Sequence, residues 1–277
     1  TAGRRQRLRP RLAGGLTPGL HPGGTRRVRV QNGGPSHEPS PIPMQGLLPL
    51  LAALAAYLIG SLSFAVIISR LMGLSDPRTY GSGNPGATNV LRSGNKAAAI
   101  LTLVFDALKG YVPVLLVLKF GPRVGLGETT AAFVGLAAFV GHLWPVFFRF
   151  QGGKGVATAA GVLMALNPML GAATLASFAI IVAFFRYVSL GSIVAALFAP
   201  FYQLLIWGAE PVLLCIVPMG LLLIWRHEGN LRKLFAGTEN KLGQKAAVPA
   251  AAAAPHGHHA HHGKHSHKHH KDHKGHH

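Results

Sequence analysis

The sequence predicts an all-α, polytopic integral membrane protein of about seven transmembrane helices. Three observations carry that prediction. Apolar segments recur at about residues 47–69, 97–118, 129–148, 155–167, 169–185, 190–208 and 211–225, with short polar loops between them. Hydrophobic residues make up 49% of the 277 even though the formal net charge is +19. The Lys and Arg of the middle gather in the loops of one side.

The charge and the hydrophobicity belong to different parts of the chain. Residues 1–43 carry Arg4, Arg5, Arg7, Arg9, Arg11, Arg26, Arg27 and Arg29 against Glu38. Rich in Gly and Pro and without apolar period, they are expected to be a disordered arm or a non-native upstream extension. No short apolar stretch followed by a small-residue cleavage site precedes Met44, so a targeting peptide is disfavoured. Residues 244–277 hold Lys245, Lys264, Lys268, Lys271, Lys274 and most of the His, and are expected to be a disordered tail able to bind transition metals loosely. A nucleic-acid function would rest on these tails alone, and none is expected. The single cysteine, Cys215, excludes an intrachain disulfide and a cysteine-based metal site, and reads as a buried, inert thiol.

The membrane domain is therefore placed at 44–243. A span needs about 20 apolar residues. Most segments reach that length, but the fourth is short and stops at Asn167-Pro168, so it is a short span or part of a broken element. Seven spans is the expectation and five the fallback. With seven, one side holds loops 70–96, 149–154, 186–189 and the chain from 226 on, with Arg70, Arg78, Arg92, Lys96, Arg149, Lys154, Arg186, Arg226, Arg232, Lys233 and Lys241. The other side has Lys119, Arg123, Glu128 and Glu210. Excess Lys and Arg mark cytoplasmic loops, which puts the N-terminal end of the domain outside and the C-terminus in the cytoplasm. Trp144, Tyr187, Trp207 and Trp225 sit near span ends as interface anchors. Gly60, Ser61, Ser63, Gly155, Ala159 and Gly161 are small enough for close helix approach.

Three polar segments fall on that same basic side. In "YGSGNPGATNVLR", 80–92, Gly81, Gly83 and Gly86 permit tight turns, and Ser82, Asn84, Thr88 and Asn89 offer hydrogen bonds. Consecutive backbone N–H groups there can cradle an anion, and Arg92 has a fork suited to phosphate. In the second, Gly152-Gly153-Lys154-Gly155 is a flexible loop with one cation, and it opens the fourth segment so that a helix N-terminus points at the same anion. The third, "RHEGNLRKLFAGTENKLG", 226–243, reads as an amphipathic helix on the anionic leaflet, yet His227 and Asn230 share a face where the last span emerges. Within the membrane, Asp106 and Lys109 are spaced to pair with each other or with Arg92. His142 reads first as a packing residue, and Ser189 and Ser192 as a helix cap or anion ligands.

The blocks "GSGNPGATN", "GHLWPVFFRFQGGKGVAT", "RYVSLGS" and "HEGNLRKLFAGTEN" occur in the order found in the bacterial acyl-phosphate:glycerol-3-phosphate acyltransferases, the PlsY family, which the chain resembles over about 44–243. Departures at Gln151, Gly229 and Leu231 are conservative. The resemblance implies seven spans and acyl transfer from a long-chain acyl phosphate to the 1-hydroxyl of glycerol 3-phosphate. The products are lysophosphatidic acid and phosphate, the first committed step of phospholipid synthesis. It implies a multi-pass protein of the bacterial inner membrane with a cytoplasm-facing site, working with membrane lipids and with the soluble enzyme that makes acyl phosphate. It carries Ser82, Arg92, Lys154, His227 and Asn230 as catalytic residues. Gly83, Asn84, Gly86, Thr88, Asn89, Gly152, Gly153, Gly155, Ser192 and Glu239 follow as substrate- or phosphate-binding residues. No metal and no cofactor is expected. Either His227 or a substrate phosphate is the base, with substrate assistance preferred.

Rival readings fail on particular residues. Thioester-using glycerolipid acyltransferases carry His, four residues, Asp, but Phe147 follows His142 and Arg232 follows His227 at that spacing. A phosphate transporter predicts an internal repeat and polarity reaching both faces. An intramembrane serine protease has no use for the cations beside Ser82.

Overall fold

A computed structural model describes residues 46–243. The expectations for 1–43 and 244–277 lie outside the described residues. Each of the seven apolar segments is helical, and no strand occurs among the described residues. The helices are α1 (Leu48–Gly60), α2 (Phe64–Leu71), α3 (Ala87–Val90), α4 (Lys96–Phe120), α5 (Glu128–Leu143), α6 (Val156–Leu166), α7 (Pro168–Phe185), α8 (Val188–Tyr202), α9 (Leu213–Arg226) and α10 (Glu228–Phe235).

Local chemistry sets the ends. Asn95 caps α4 by accepting from Ala98 N at 3.0 Å. Asn167 ends α6 and caps α7, accepting from Met169 N and Leu170 N at 3.0 and 3.2 Å, while Pro168 takes the first helical position, where a missing N–H costs nothing. The first segment breaks at Ser61–Ser63, and α1 and α2 are bent by 41°. The break exposes Leu62 O, which accepts from Lys109 Nζ at 2.8 Å.

Four stretches are long and apolar enough to cross a membrane, Lys96–Val124, Glu128–Phe148, Pro168–Phe185 and Val188–Trp207, and the bent α1–α2 pair makes a fifth. With 11 and 14 residues, α6 and α9 are shorter apolar helices. At 1.5 Å per residue they measure about 17 and about 21 Å against a hydrocarbon core of about 30 Å. The protein is thus an all-helical, multi-pass membrane protein.

Outward positions such as Leu50, Phe184, Leu205 and Leu221 are apolar and exposed, as lipid contact requires. Inside, small residues let backbones meet. A Cβ on Gly60 would lie 2.0 Å from Ala138 O, and one on Gly141 2.3 Å from Tyr57 O, so α1 and α5 touch at reciprocal glycines. The α4–α6 pair repeats this, with Gly110 against Thr158 O at 2.3 Å and Gly161 against Ala107 O at 2.0 Å. Beside that crossing, Asp106 and Lys109 form a buried ion pair at 2.8 Å, the first of the two pairings the spacing allows, with His142 Nδ1 at 3.6 Å from the carboxylate. Thr158 Oγ1 donates to Asp106 O at 2.9 Å, locking the two helices.

Candidate active site

The stretch 80–92 folds as a loop that runs into α3 and then a 3-10 turn at Leu91–Ser93. Gly81 and Gly83 adopt φ of 60° and 67°, which glycine tolerates without strain. Gly86 does not share this role. Its φ of −153° is ordinary extended backbone, and it serves as N-cap of α3. Asn89 is buried and organises the loop: Oδ1 accepts from Ser82 N at 3.0 Å, and Nδ2 donates to Pro77 O at 2.6 Å and Tyr80 O at 3.1 Å. Its amide thus shapes the seat of Ser82.

The second segment leaves α5 through a 3-10 turn and returns at Gly155, whose φ of 83° starts α6. Gly152 and Gly153 are buried behind the loop, and Gly153 N donates to His142 O at 3.2 Å. Their carbonyls accept from one guanidinium: Arg226 Nη2 lies 2.9 Å from Gly152 O and 3.1 Å from Gly153 O, with Nε 3.2 Å from Gly153 O. In the sequence Arg226 reads only as one more basic residue at a span end. Nothing in its neighbouring sequence signals a contact with residues more than seventy positions away. By tying down Gly152 and Gly153 it fixes where Lys154 emerges.

Lys154 Nζ donates to Asn230 Oδ1. Asn230 Nδ2 donates to Glu239 Oε1 at 2.6 Å, and Ser189 Oγ donates to the same oxygen at 2.7 Å. The segment after α10 is held back onto the α7–α8 turn by a two-way bond between Leu242 and Arg186: Leu242 N donates to Arg186 O at 2.7 Å, and Arg186 Nη2 to Leu242 O at 2.9 Å. Ser192 Oγ donates to Val188 O at 2.8 Å, and the residue lines the cavity. His227 Nδ1 lies 2.8 Å from Leu223 O. Since a carbonyl only accepts, Nδ1 carries the proton and Nε2 presents a lone pair.

These groups line one cavity of about 1280 Å³. Its polar end brings together Ser82, Arg92, Lys154, Ser192, His227, Asn230 and Glu239, with Asn84, Gly86, Thr88, Asn89 and Gly155 on the same wall. Gly83 stands off that wall, as do Gly152 and Gly153. The other end descends between helices past Leu108 of α4, Met164 of α6, Phe178 of α7, Ala199 of α8 and Met219 of α9. The site is therefore amphiphilic, with cations and a helix N-terminus at the mouth and an apolar slot below.

Burial pushes the Lys154 ammonium down to about 8; Glu239 opposes this, while Arg226, Lys233 and Arg92 push further down. Burial also brings His227 down to about 4, aided by the charges of Lys154 and Arg226 and opposed by the bond to Leu223. At neutral pH the mouth holds a cationic lysine and a neutral imidazole.

A family model described as "Glycerol-3-phosphate acyltransferase" matches residues 50–237. A protein of that name from Paraburkholderia phytofirmans is 59% identical over 203 residues, 73% of this chain and 95% of the relative. Another, from Cupriavidus necator, is 60% identical over 199 residues, 72% and 98%. Among solved structures, PlsY, described as an integral membrane glycerol 3-phosphate acyltransferase, superposes in its glycerol 3-phosphate form with a TM-score of 0.66 at 39% identity, covering 70% of this chain and 96% of that one. Its lysophosphatidic acid form gives 0.64 at 38% identity, covering 70% and 95%.

Proposed function

The chain belongs to the glycerol-3-phosphate acyltransferase family, and from that premise we propose that its acyl donor is a long-chain acyl phosphate and its acceptor the 1-hydroxyl of glycerol 3-phosphate. The observation that carries this is the amphiphilic cavity, which offers Arg92, Lys154 and the start of α6 to anions and an apolar slot to a fatty chain. The glycerol 3-phosphate and lysophosphatidic acid forms of the solved relative support the same acceptor and product here.

In this reading the acceptor oxygen attacks the acyl carbonyl, the new ester C–O bond forms, and the bond from that carbon to the phosphate oxygen breaks. The hydroxyl proton passes to a phosphate oxygen. A phosphate monoester, with a second pKa near ~6, is a stronger base than an imidazole held at about 4. His227 Nε2 and Asn230 position the acceptor instead, and Lys154 and Arg92 balance the charge. Ser82 and the backbone around it, with Thr88, hold a phosphate; Ser192 and Glu239 complete the polar wall. No enzyme nucleophile is required, since the donor is already activated.

Seven spans, an N-terminal end outside and a cytoplasmic C-terminus complete the proposal. They are supported by the one-sided Lys and Arg loops and place the site at the cytoplasmic face of the bacterial inner membrane, within reach of the soluble enzyme that makes acyl phosphate. The test is direct. Purified protein given acyl phosphate and glycerol 3-phosphate, without thioester or added metal, should form lysophosphatidic acid. Product from acyl-CoA but not from acyl phosphate would overturn the donor assignment.

A further inference from the structure

A second cavity, of about 600 Å³, opens on the reverse of the two catalytic loops. Its wall is built from Arg70 at the end of α2, Asp76, Arg78 and Thr79 ahead of the Ser82 loop, and Phe147, Phe148, Arg149 and Gln151 ahead of Lys154. Three guanidinium groups thus face one carboxylate. Asp76 is committed to Arg78, with Arg78 Nη2 at 2.6 Å from Oδ2 and Nε at 3.0 Å from Oδ1. Arg70 and Arg149 remain in excess, and neither forms an ion pair among the described residues. The turn that carries Arg149 is itself unusual. Arg149 and Phe150 are consecutive non-glycine residues with φ of 55° and 59°, a conformation L side chains adopt seldom and one that collects at ligand sites.

The wall is not only basic. Phe147 and Phe148 line it, and Phe150 and Leu71, the chain neighbours of Arg149 and Arg70, are exposed. The depth in the membrane follows from Trp144, five residues before Arg149, whose ring lies 6.0 Å from that of Trp225 at the end of α9. Tryptophans at span ends mark the headgroup level. A guanidinium pair beside aromatic rings at that level matches a phosphate that arrives with an apolar body attached. A free inorganic phosphate has no use for the aromatic side of the wall.

We propose that this cavity holds the phosphate of an anionic phospholipid from the surrounding leaflet. Arg70 and Arg149 grip the phosphate oxygens, and Phe147 and Phe148 lie against the glycerol backbone. Thr79 and Gln151 each stand three residues ahead of a catalytic side chain, Ser82 and Lys154, so a headgroup there ties both loops to the membrane surface. The site is separate from the acyl-transfer cavity and does not depend on the identity of the acyl donor.

The full chain would be reconstituted with phosphatidylglycerol and phosphatidylcholine, and the lipid retained after delipidating purification measured by native mass spectrometry. The expected result is preferential retention of phosphatidylglycerol. The double variant Arg70→Gln/Arg149→Gln should lose that preference about tenfold or more, the size expected for charge-assisted bonds. Arg70→Lys/Arg149→Lys should keep most of it. A thermal melt matching the unsubstituted chain shows that the double variant is folded. Equal retention of both lipids by the unsubstituted chain, or full retention of phosphatidylglycerol by the folded double Gln variant, overturns the proposal. So does displacement of the lipid by inorganic phosphate at comparable concentration, which would assign the pocket to a soluble anion. Failure of the acyl phosphate assay would leave these readouts untouched, so the two claims fall separately.

Discussion

Lys154 is a cation held at the edge of its charged range. Its ammonium is favoured below about 8 and lost above it, because burial lowers its pKa from an ordinary value of 10.5. A phosphate-binding role needs the charged form, so kcat/KM should be flat toward neutral pH and fall as pH rises through about 8. Bound phosphate raises the pKa, so the limb in kcat should lie higher. Lys154→Arg should remove the alkaline limb, at a lower plateau, since a guanidinium stays charged but has another shape. Glu239 holds the Lys154 pKa up, so Glu239→Gln should move the kcat/KM limb downward. An unmoved limb in both variants would show that another group titrates. His227 gives the complementary prediction. With its pKa at about 4, His227 should contribute no acid limb near the ordinary imidazole value, and a limb at about 6, where the substrate phosphate takes up a proton, should persist unchanged in His227→Gln. His227→Gln should raise KM for glycerol 3-phosphate and lower kcat by less than the ~100-fold to ~10,000-fold that a general base supplies. A larger fall in kcat at unchanged KM would make His227 the base.

At the scale of elements, the α4–α6 crossing sets the site, because α6 begins at the Lys154 loop and α4 carries the buried Asp106–Lys109 pair. Gly161→Val would push a side chain into Ala107 O, where even a Cβ would sit at 2.0 Å, and should cost about 1–3 kcal/mol or more. A clear drop in melting temperature in one detergent is the expected readout. Gly229→Ala, on α10 with nothing within 4 Å of the added Cβ, should be neutral or slightly stabilising. This contrast bears on what can be read from the chain alone. Apolar runs and the Asn167-Pro168 stop are local signals, and they place the helices of the seven apolar segments, though not the short α3. Gly60 and Gly161 are legible as small residues, but their partners, Ala138 and Ala107, are tertiary facts. Gly155, grouped with them on size, is both a turn residue and a point of close approach, since a Cβ there would lie 2.2 Å from Phe139 Cε2. The bend at Ser61–Ser63 was not legible either: polar serines inside an apolar run do not say whether a helix continues, and here the released Leu62 O goes to Lys109. In the site, the motif order found the side chains around the cavity. The Arg226 clamp and the Arg186–Leu242 strap escaped because each joins segments far apart in sequence.

At the scale of the whole molecule, the site constrains the number of crossings. Ser82, Lys154, Ser189 and Asn230 line one cavity mouth and so lie on one side of the membrane. The helices between any two of them must then cross an even number of times. Between Ser82 and Lys154 stand α4 and α5, both long enough to span. Between Lys154 and Ser189 stand α6 and α7; α7 is full length, so in the proposed topology α6 crosses with it despite its 11 residues. In the same topology, parity between Ser189 and Asn230 pairs α9 with full-length α8. A short α6 is tolerable because Ala159, Val162, Leu163 and Ala165 are buried against protein, not lipid, so thickness mismatch costs little there. With α1 and α2 as one bent crossing, the parity supports the proposed seven spans. Cys215 makes the test clean, since the only cysteine of the chain is buried. Glu128→Cys, Met169→Cys and Glu210→Cys should react with a membrane-impermeant maleimide in right-side-out vesicles, and Ser75→Cys and Lys233→Cys only in inverted ones. Labelling of Met169→Cys from the same side as Ser75→Cys would make α6 re-entrant, and the parity between Lys154 and Ser189 would then require α7 to turn back within the membrane as well.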